Sequence, residues 1–222
     1  MKEDKSIARK NVVIALACFL PFCGLSYILS KILTDPVEYF LLGFCWILVM
    51  SSYVTIKTHI LRCANTFKAI IIMGYFIRLL IAFWGTYGKG AVINFLNTGD
   101  QIGFLNTAKQ YYYGDFSQYY TRYPYVLLGI FKITGCNRMM PQLFNILCWY
   151  LGILVLEKIG DGFRGKRELL LLFFYVFMPW PLLISTQLYR ESLMSLLMML
   201  SYYYLWKWMA RGGSASICSI QC

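Results

Sequence analysis

Between Gly88 and Met140 the chain has only two acidic residues, Asp100 and Asp115. Asp100 closes the polar stretch NTGD, just before the periodic segment QIGFLNTAKQYYY (Gln101 to Tyr113). A carboxylate there suits two kinds of chemistry. It can accept hydrogen bonds from the free N–H groups that begin a helix, and at a water–lipid boundary it can take the proton of an attacking hydroxyl. The two roles are compatible. Arg122, immediately before Tyr123 and Pro124, carries a guanidinium fork that fits a lipid-linked phosphate or an anionic headgroup; its plainer role is an interfacial anchor. Lys89, Lys109 and Arg138 are weaker versions of the same idea.

Three further positions stand out. Arg78 interrupts the apolar run IIMGYFIRLLIAFW, and an arginine inside a membrane is costly unless it faces a partner or a water-filled cavity. It is a substrate-site candidate. The alternatives are packing against another helix's carbonyls and snorkelling. Arg190 and Glu191 follow the turn STQLY; Glu191 suits the positive end of a helix, and the same location sets both side chains beside the outer segment. Seven tyrosines fall between Tyr111 and Tyr125, as expected of an aromatic belt at a membrane surface. A stacking platform for a sugar ring is the sharper reading, with Tyr123 its candidate beside Arg122.

The elements that must position these residues follow from composition. Of 222 residues, 59% are hydrophobic and 14% charged, against about 25% charged in ordinary soluble domains. Mean hydropathy is +0.57. A soluble globule and a disordered chain are both excluded, and a bilayer is the natural apolar phase. The net charge of +11 is not gathered into one basic face or tail, which argues against a nucleic-acid partner.

A bilayer core about 30 Å thick needs roughly 20 apolar residues per helix. Six runs meet this: Asn11 to Leu33, Val37 to Ile56, Phe67 to Tyr87, Pro141 to Leu156, Leu169 to Gln187 and Ser192 to Trp208. The first exceeds a signal-peptide core and lacks a cleavage site, so it reads as an uncleaved crossing. The run YPYVLLGIFKIT (Tyr123 to Thr134) has twelve residues, about 18 Å as a helix, too short to cross.

Lysine and arginine accumulate in cytoplasmic loops, which separates six crossings from seven. With six and the N-terminus inside, thirteen lie inside: Lys2, Lys5, Arg9 and Lys10; Lys57, Arg62 and Lys68; Lys158, Arg164, Lys166 and Arg167; Lys207 and Arg211. Seven lie outside, from Lys31 to Arg190, with Arg78 within the third helix. If residues 123 to 134 also crossed, the partition would be ten and ten. Six crossings are therefore expected in one all-α transmembrane domain over 1–222. The outer segment from about 88 to 140 holds most of the polar chemistry. In it, Ile102, Leu105, Ala108 and Tyr112 are spaced as the apolar face of an amphipathic surface helix, with Gly114 as C-cap, and the run after Pro124 forms a second helix dipping into the interface. The Ser, Gly and Cys-rich tail 210–222 is expected to be disordered, or else the product of a truncated frame.

Eight cysteines and one histidine, His59, bring no metal-ligand spacing. Cys18, Cys23, Cys45 and Cys148 lie in apolar runs and no C-x-x-C occurs, so most of the cysteines read as small buried hydrophobes, while Cys218 and Cys222 in the tail lack the further ligands a metal site needs. No metal or other cofactor is expected.

From about Gly74 to Trp208 the order of features resembles the C-type membrane glycosyltransferases, in particular the family 39 or protein-mannosyltransferase-like branch. Asp100 followed by Phe104, Ala108 and Gly114 is similar to the family's D-x-x-x-Y-x-x-x-A-x-x-x-x-x-G pattern. Arg122, Pro124 and the apolar run to Gly135 match its basic residue, proline and helix; Pro179, Ser185 and Glu191 match its proline, serine and acidic residue.

The resemblance implies an inverting transferase that takes a sugar from a polyprenyl-phosphate carrier on the outer face of the membrane. Asp100 would be the base and Arg122 the residue holding the carrier phosphate, with Arg78, Lys109, Tyr123, Arg190 and Glu191 as further substrate-binding candidates. The acceptor would be an envelope glycan, lipid or protein, and the location a bacterial cytoplasmic membrane. Gln101 departs from the pattern where the family often has a second acid. Family members also continue for several helices beyond six, so an N-terminal fragment is expected, inactive if truncated. A polysaccharide polymerase or export component and a non-catalytic membrane subunit are the competing readings.

The topology has its own test. With the native cysteines replaced, a Gly162→Cys variant should resist impermeant thiol reagents in intact cells and react once the membrane is opened; labelling from outside contradicts six crossings.

Overall fold

The computed structural model describes residues 36–61, 63–88, 99–117, 121–159 and 166–217. Among them the regular structure is entirely helical: α1 Pro36–Ile60, α2 Asn65–Tyr87, α3 Asp100–Tyr112, α4 Tyr123–Thr134, α5 Met139–Ile159, α6 Lys166–Phe177, α7 Pro179–Ser185 and α8 Glu191–Ile217. The expected crossing Asn11 to Leu33, Lys89 and the basic loop at 160–165 lie outside the described residues. Contacts divide the chain into two compact units. Among the described residues, one takes those up to Ile47 together with those of Gly103–Met140, and the other takes those of Leu48–Ile102 together with those from Pro141 onward.

In the second unit the apolar runs of α2 and α8 form helices, because they carry no proline to break the ladder and apolar burial outweighs the modest helix propensity of their Ile and aromatic residues. Among the described residues α2 and α5 are long and apolar enough to cross a membrane. On α2, Phe67, Ile71, Gly74, Arg78, Ala82 and Gly85 make the buried stripe, while Met73, Phe76, Leu80 and Trp84 are exposed on the other side. Both stripes step by three or four residues, the spacing of one helix face. Thus α2 is apolar outward as well as inward. The same holds for α8, where Leu196 is buried and Met194, Leu197, Met198 and Leu205 are exposed. Its inner side packs with α5, joining Cys148, Val155 and Leu196 to Leu151, Leu193 and Met199.

The expected fifth crossing, Leu169 to Gln187, is not one helix. It breaks between α6 and α7 at Met178, whose φ of −57° and ψ of 126° are extended. The cause is local: Pro179 pushes the preceding residue out of the helical region and has no N–H to continue the ladder. The helix α2 packs against both halves. Hydroxyl hydrogen bonds add to the packing: Ser51 with Tyr75 at 3.2 Å, and Thr58 with Tyr150 at 3.0 Å.

The helix α3, whose first three residues belong to the second unit, and α4 in the first unit match their expected limits closely. The face of α3 does not. Gln101, Phe104, Leu105, Thr107, Ala108 and Tyr111 are buried, whereas Ile102 is 43% exposed and Tyr112 only half-buried. The stripe is turned by one residue from the expected one, with two polar side chains inside it. The end of α3 follows the sequence signal. Gly114 takes φ of 93°, its N–H reaches the Tyr111 carbonyl at 3.2 Å and the Asp115 N–H reaches Gln110 at 2.9 Å. These two bonds make a Schellman cap. Gly114→Ala forces a Cβ into the left-handed region and should destabilise the protein by about 1 kcal/mol, visible as a lower thermal midpoint in detergent, whereas Gly129→Ala, inside α4 with open space at its Cβ, should not.

Candidate functional site

Asp100 is the first residue of α3 and is exposed. Its placement begins at Gly99, whose φ of 82° only glycine adopts without strain. The Gly99 carbonyl then accepts the Ile102 N–H at 3.3 Å. Asp100 follows where a helix's positive end favours a carboxylate. Gln101, the next residue, is 1% exposed; an ionised carboxylate there would have to be desolvated, and a neutral amide avoids that cost.

The neighbours of Asp100 in its unit come from the turn between α7 and α8. Asn145, fully buried in α5, donates both N–H groups of its amide to this turn, one to the Gln187 carbonyl and one to the Tyr189 carbonyl at 2.9 Å. The turn is also closed locally, with the Thr186 N–H on Leu183 at 3.1 Å and Leu188 fully buried. Held in this way, Tyr189 sets its hydroxyl 3.4 Å from where a Cβ on Gly99 would lie. Burial, and then the charges of Asp100 and Glu191, hold this phenol above its ordinary pKa. Arg190 and Glu191 are both exposed at the start of α8. The structure thus gathers Asp100 and Glu191 around Tyr189, a residue that sequence reasoning passed over. A signal for the arrangement was present: Gln142 and Asn145 are two amides three residues apart in an otherwise apolar run, and polar groups within such runs have partners to satisfy. Gln142 also takes part, accepting a hydrogen bond from Thr86 near the end of α2.

Arg78 resolves its three alternatives in favour of packing. It is fully buried, so it does not snorkel. Its Nε donates to Ser185 Oγ at 2.8 Å, and Nη1 donates to the Val176 carbonyl at 2.8 Å and to the Gly74 carbonyl at 3.2 Å. The guanidinium lies over Trp149 at 3.7 Å from the ring centroid. Among the described residues no carboxylate pairs with it. Opposite charge is supplied instead by the C-terminal end of α6 and by the indole face. Gly74 is part of the fit, since a Cβ there would collide with Val176 and press on Trp149.

Lys109, Arg122 and Tyr123 belong to the other unit. Lys109 is exposed in the last turn of α3; burial pushes the Cys136 thiol up, and Lys109 draws it partly back. Arg122 is exposed at the start of α4, a helix with no acidic residue in its first turn, so side-chain charge and helix end both favour an anion. Tyr123 is buried and meets Phe104 edge-on at 5.4 Å, which withdraws it as an open face for a sugar. Tyr111 is likewise enclosed, against Phe116 and Tyr125. Arg138 is half-buried, and burial lowers its pKa. Asp115 is held below its ordinary pKa by hydrogen bonding from Ser117, whose N–H lies at 2.9 Å.

Because Arg78 joins α2 to α6 and α7 through directed bonds, Arg78→Lys should lower stability by about 2 kcal/mol although the charge remains. Gly74→Ala should do comparable damage by overpacking. Thermal unfolding of the purified protein in nanodiscs measures both; a wild-type midpoint for Arg78→Lys contradicts the structural role. No family model, no curated protein and no solved structure matches this chain.

Proposed function

We propose that the protein is a multi-pass membrane glycosyltransferase that takes a sugar from a polyprenyl-phosphate carrier and passes it to an envelope glycan, lipid or protein on the outer face of a bacterial cytoplasmic membrane. The membrane part of this reading draws support from α2 and α5, and from the exposed apolar stripes of α2 and α8, which exceed what a water-facing surface carries. Six crossings with a cytoplasmic N-terminus follow from the charge partition. That topology puts the start of α3 and the turn before α8 on the outer side.

The observation that carries the enzymatic reading is Asp100: an exposed carboxylate on the first turn of a helix, next to Gly99, against which the Tyr189 hydroxyl lies. In the proposed step the acceptor hydroxyl oxygen attacks the anomeric carbon from the face opposite the carrier. Its proton passes to the Asp100 carboxylate, the bond from the anomeric carbon to the phosphate oxygen breaks, and polyprenyl phosphate leaves with the electron pair. The product has inverted configuration. Fixed positive charge near the departing phosphate stabilises the transition state; Arg122 is the residue assigned to that phosphate, with Lys109 as an auxiliary cation. Arg78 supports the fold, since its hydrogen bonds to Gly74, Val176 and Ser185 are all internal. Glu191 and Arg190 remain substrate candidates by position.

Asp100→Asn should leave membrane abundance unchanged and lower transfer from polyprenyl-phosphate-linked sugars by a factor of about 100 or more; undiminished transfer ends the assignment of the base. Arg122→Ala should raise KM for the donor about tenfold and alter kcat less. A polysaccharide polymerase would differ in leaving single repeat units exported but unjoined when Asp100 is replaced.

A further inference from the structure

We infer that Tyr189 is a positioning residue for the Asp100 carboxylate, held in place by the Asn145 clamp on the turn between α7 and α8. The inference rests on the reading of Asp100 as the base and adds the device that makes an exposed carboxylate usable. A surface aspartate samples several rotamers, whereas a base has to stand within about 2.6–3.2 Å of the proton it takes. Something must restrict it.

The geometry identifies Tyr189 for that task. Its hydroxyl lies against the Gly99 backbone, one residue before Asp100, at 3.4 Å from the Cβ position. The carbonyl of the same tyrosine is one of the two acceptors on Asn145, and an amide nitrogen has only two hydrogens to give. Both are spent on this turn. A fully buried asparagine so committed fixes the turn relative to α5, which a longer or branched side chain would not reproduce. The charged groups around the phenol are Asp100 at the start of α3, Glu191 at the start of α8, and Arg190 next to it in sequence. Burial and the two carboxylates disfavour the phenolate, so the hydroxyl keeps its hydrogen near neutral pH. Only a protonated phenol can donate to a carboxylate.

The test separates this inference from the transferase reading. With 3-fluorotyrosine at position 189 of the full chain in nanodiscs, fluorine NMR across pH follows this one phenol. Asp100→Asn removes a negative charge beside it, so the titration midpoint should fall; Asn145→Ala should release the turn and weaken that response. Turnover is read with polyprenyl-phosphoglucose and polyprenyl-phosphomannose as donor probes. Tyr189→Phe keeps the ring and removes the hydroxyl. It should lower kcat on the order of tenfold with KM for the donor within about twofold, while Tyr202→Phe, exposed on α8, should match wild type. A midpoint that ignores Asp100→Asn, or wild-type kcat in Tyr189→Phe, overturns the inference even where Asp100→Asn is inactive. A midpoint that falls in an Asp100→Asn variant of wild-type turnover overturns the transferase reading instead, and with it the catalytic purpose of the pair.

Discussion

A buried guanidinium has to find acceptors, and the second unit is organised around the acceptors that Arg78 finds. Desolvating a cation costs several kcal/mol when it lacks a partner. Here compensation comes from helix ends. The break at Pro179 leaves α6 with terminal carbonyls that a continuous helix would have used. The Phe174 carbonyl is taken by the Met178 N–H at 2.8 Å, and the Val176 carbonyl by Arg78. Ser185, at the end of α7, takes Nε and passes its own hydrogen to the Leu182 carbonyl at 3.0 Å. The proline break and the arginine therefore explain each other: each would be destabilising alone, and together they fasten α2 to two short helices.

This fastening also bears on the corner at Asp100. The turn that carries Tyr189 begins where α7 ends, directly after Ser185. From the other side it is held by Asn145 of α5, the helix whose Trp149 lies against Arg78. One turn of α5 thus separates the amide that holds the turn from the indole that receives the cation. Low local dielectric strengthens each bond that such a network makes, although Arg78 Nη2 and Trp149 Nε1 are buried without a hydrogen-bond partner among the described residues. The network gives Asp100 and Glu191 defined neighbours although both are exposed.

The aromatic segment behaves differently from the arginine cluster. Its tyrosines present an apolar body and a polar tip, and in the first unit Tyr111 and Tyr123 spend the body on packing with Phe116, Tyr125 and Phe104. Tyr113 is 78% exposed and continues the outward character of the segment. The same composition thus serves both packing and surface, with the helical phase deciding which residue does which.

Much of the local structure was legible in the residues alone. The limits of α4, the glycine cap of α3 and the long apolar helices depend on proline, glycine and apolar runs, whose preferences act over a few residues. The break before Pro179 was equally local and was hidden by hydrophobicity, which counts apolar residues without counting lost N–H groups. Tertiary packing decided the rest. It chose the face of α3 that turns Gln101 inward and leaves Ile102 out, since neighbouring faces of a short amphipathic helix differ little in apolar content. It also decided that Arg78 meets Val176 and Ser185, and that Tyr189 stands beside Asp100. Those residues are distant along the chain, and no periodicity reports which distant groups meet; that depends on how the helices pack and on which acceptors the packing brings to buried donors.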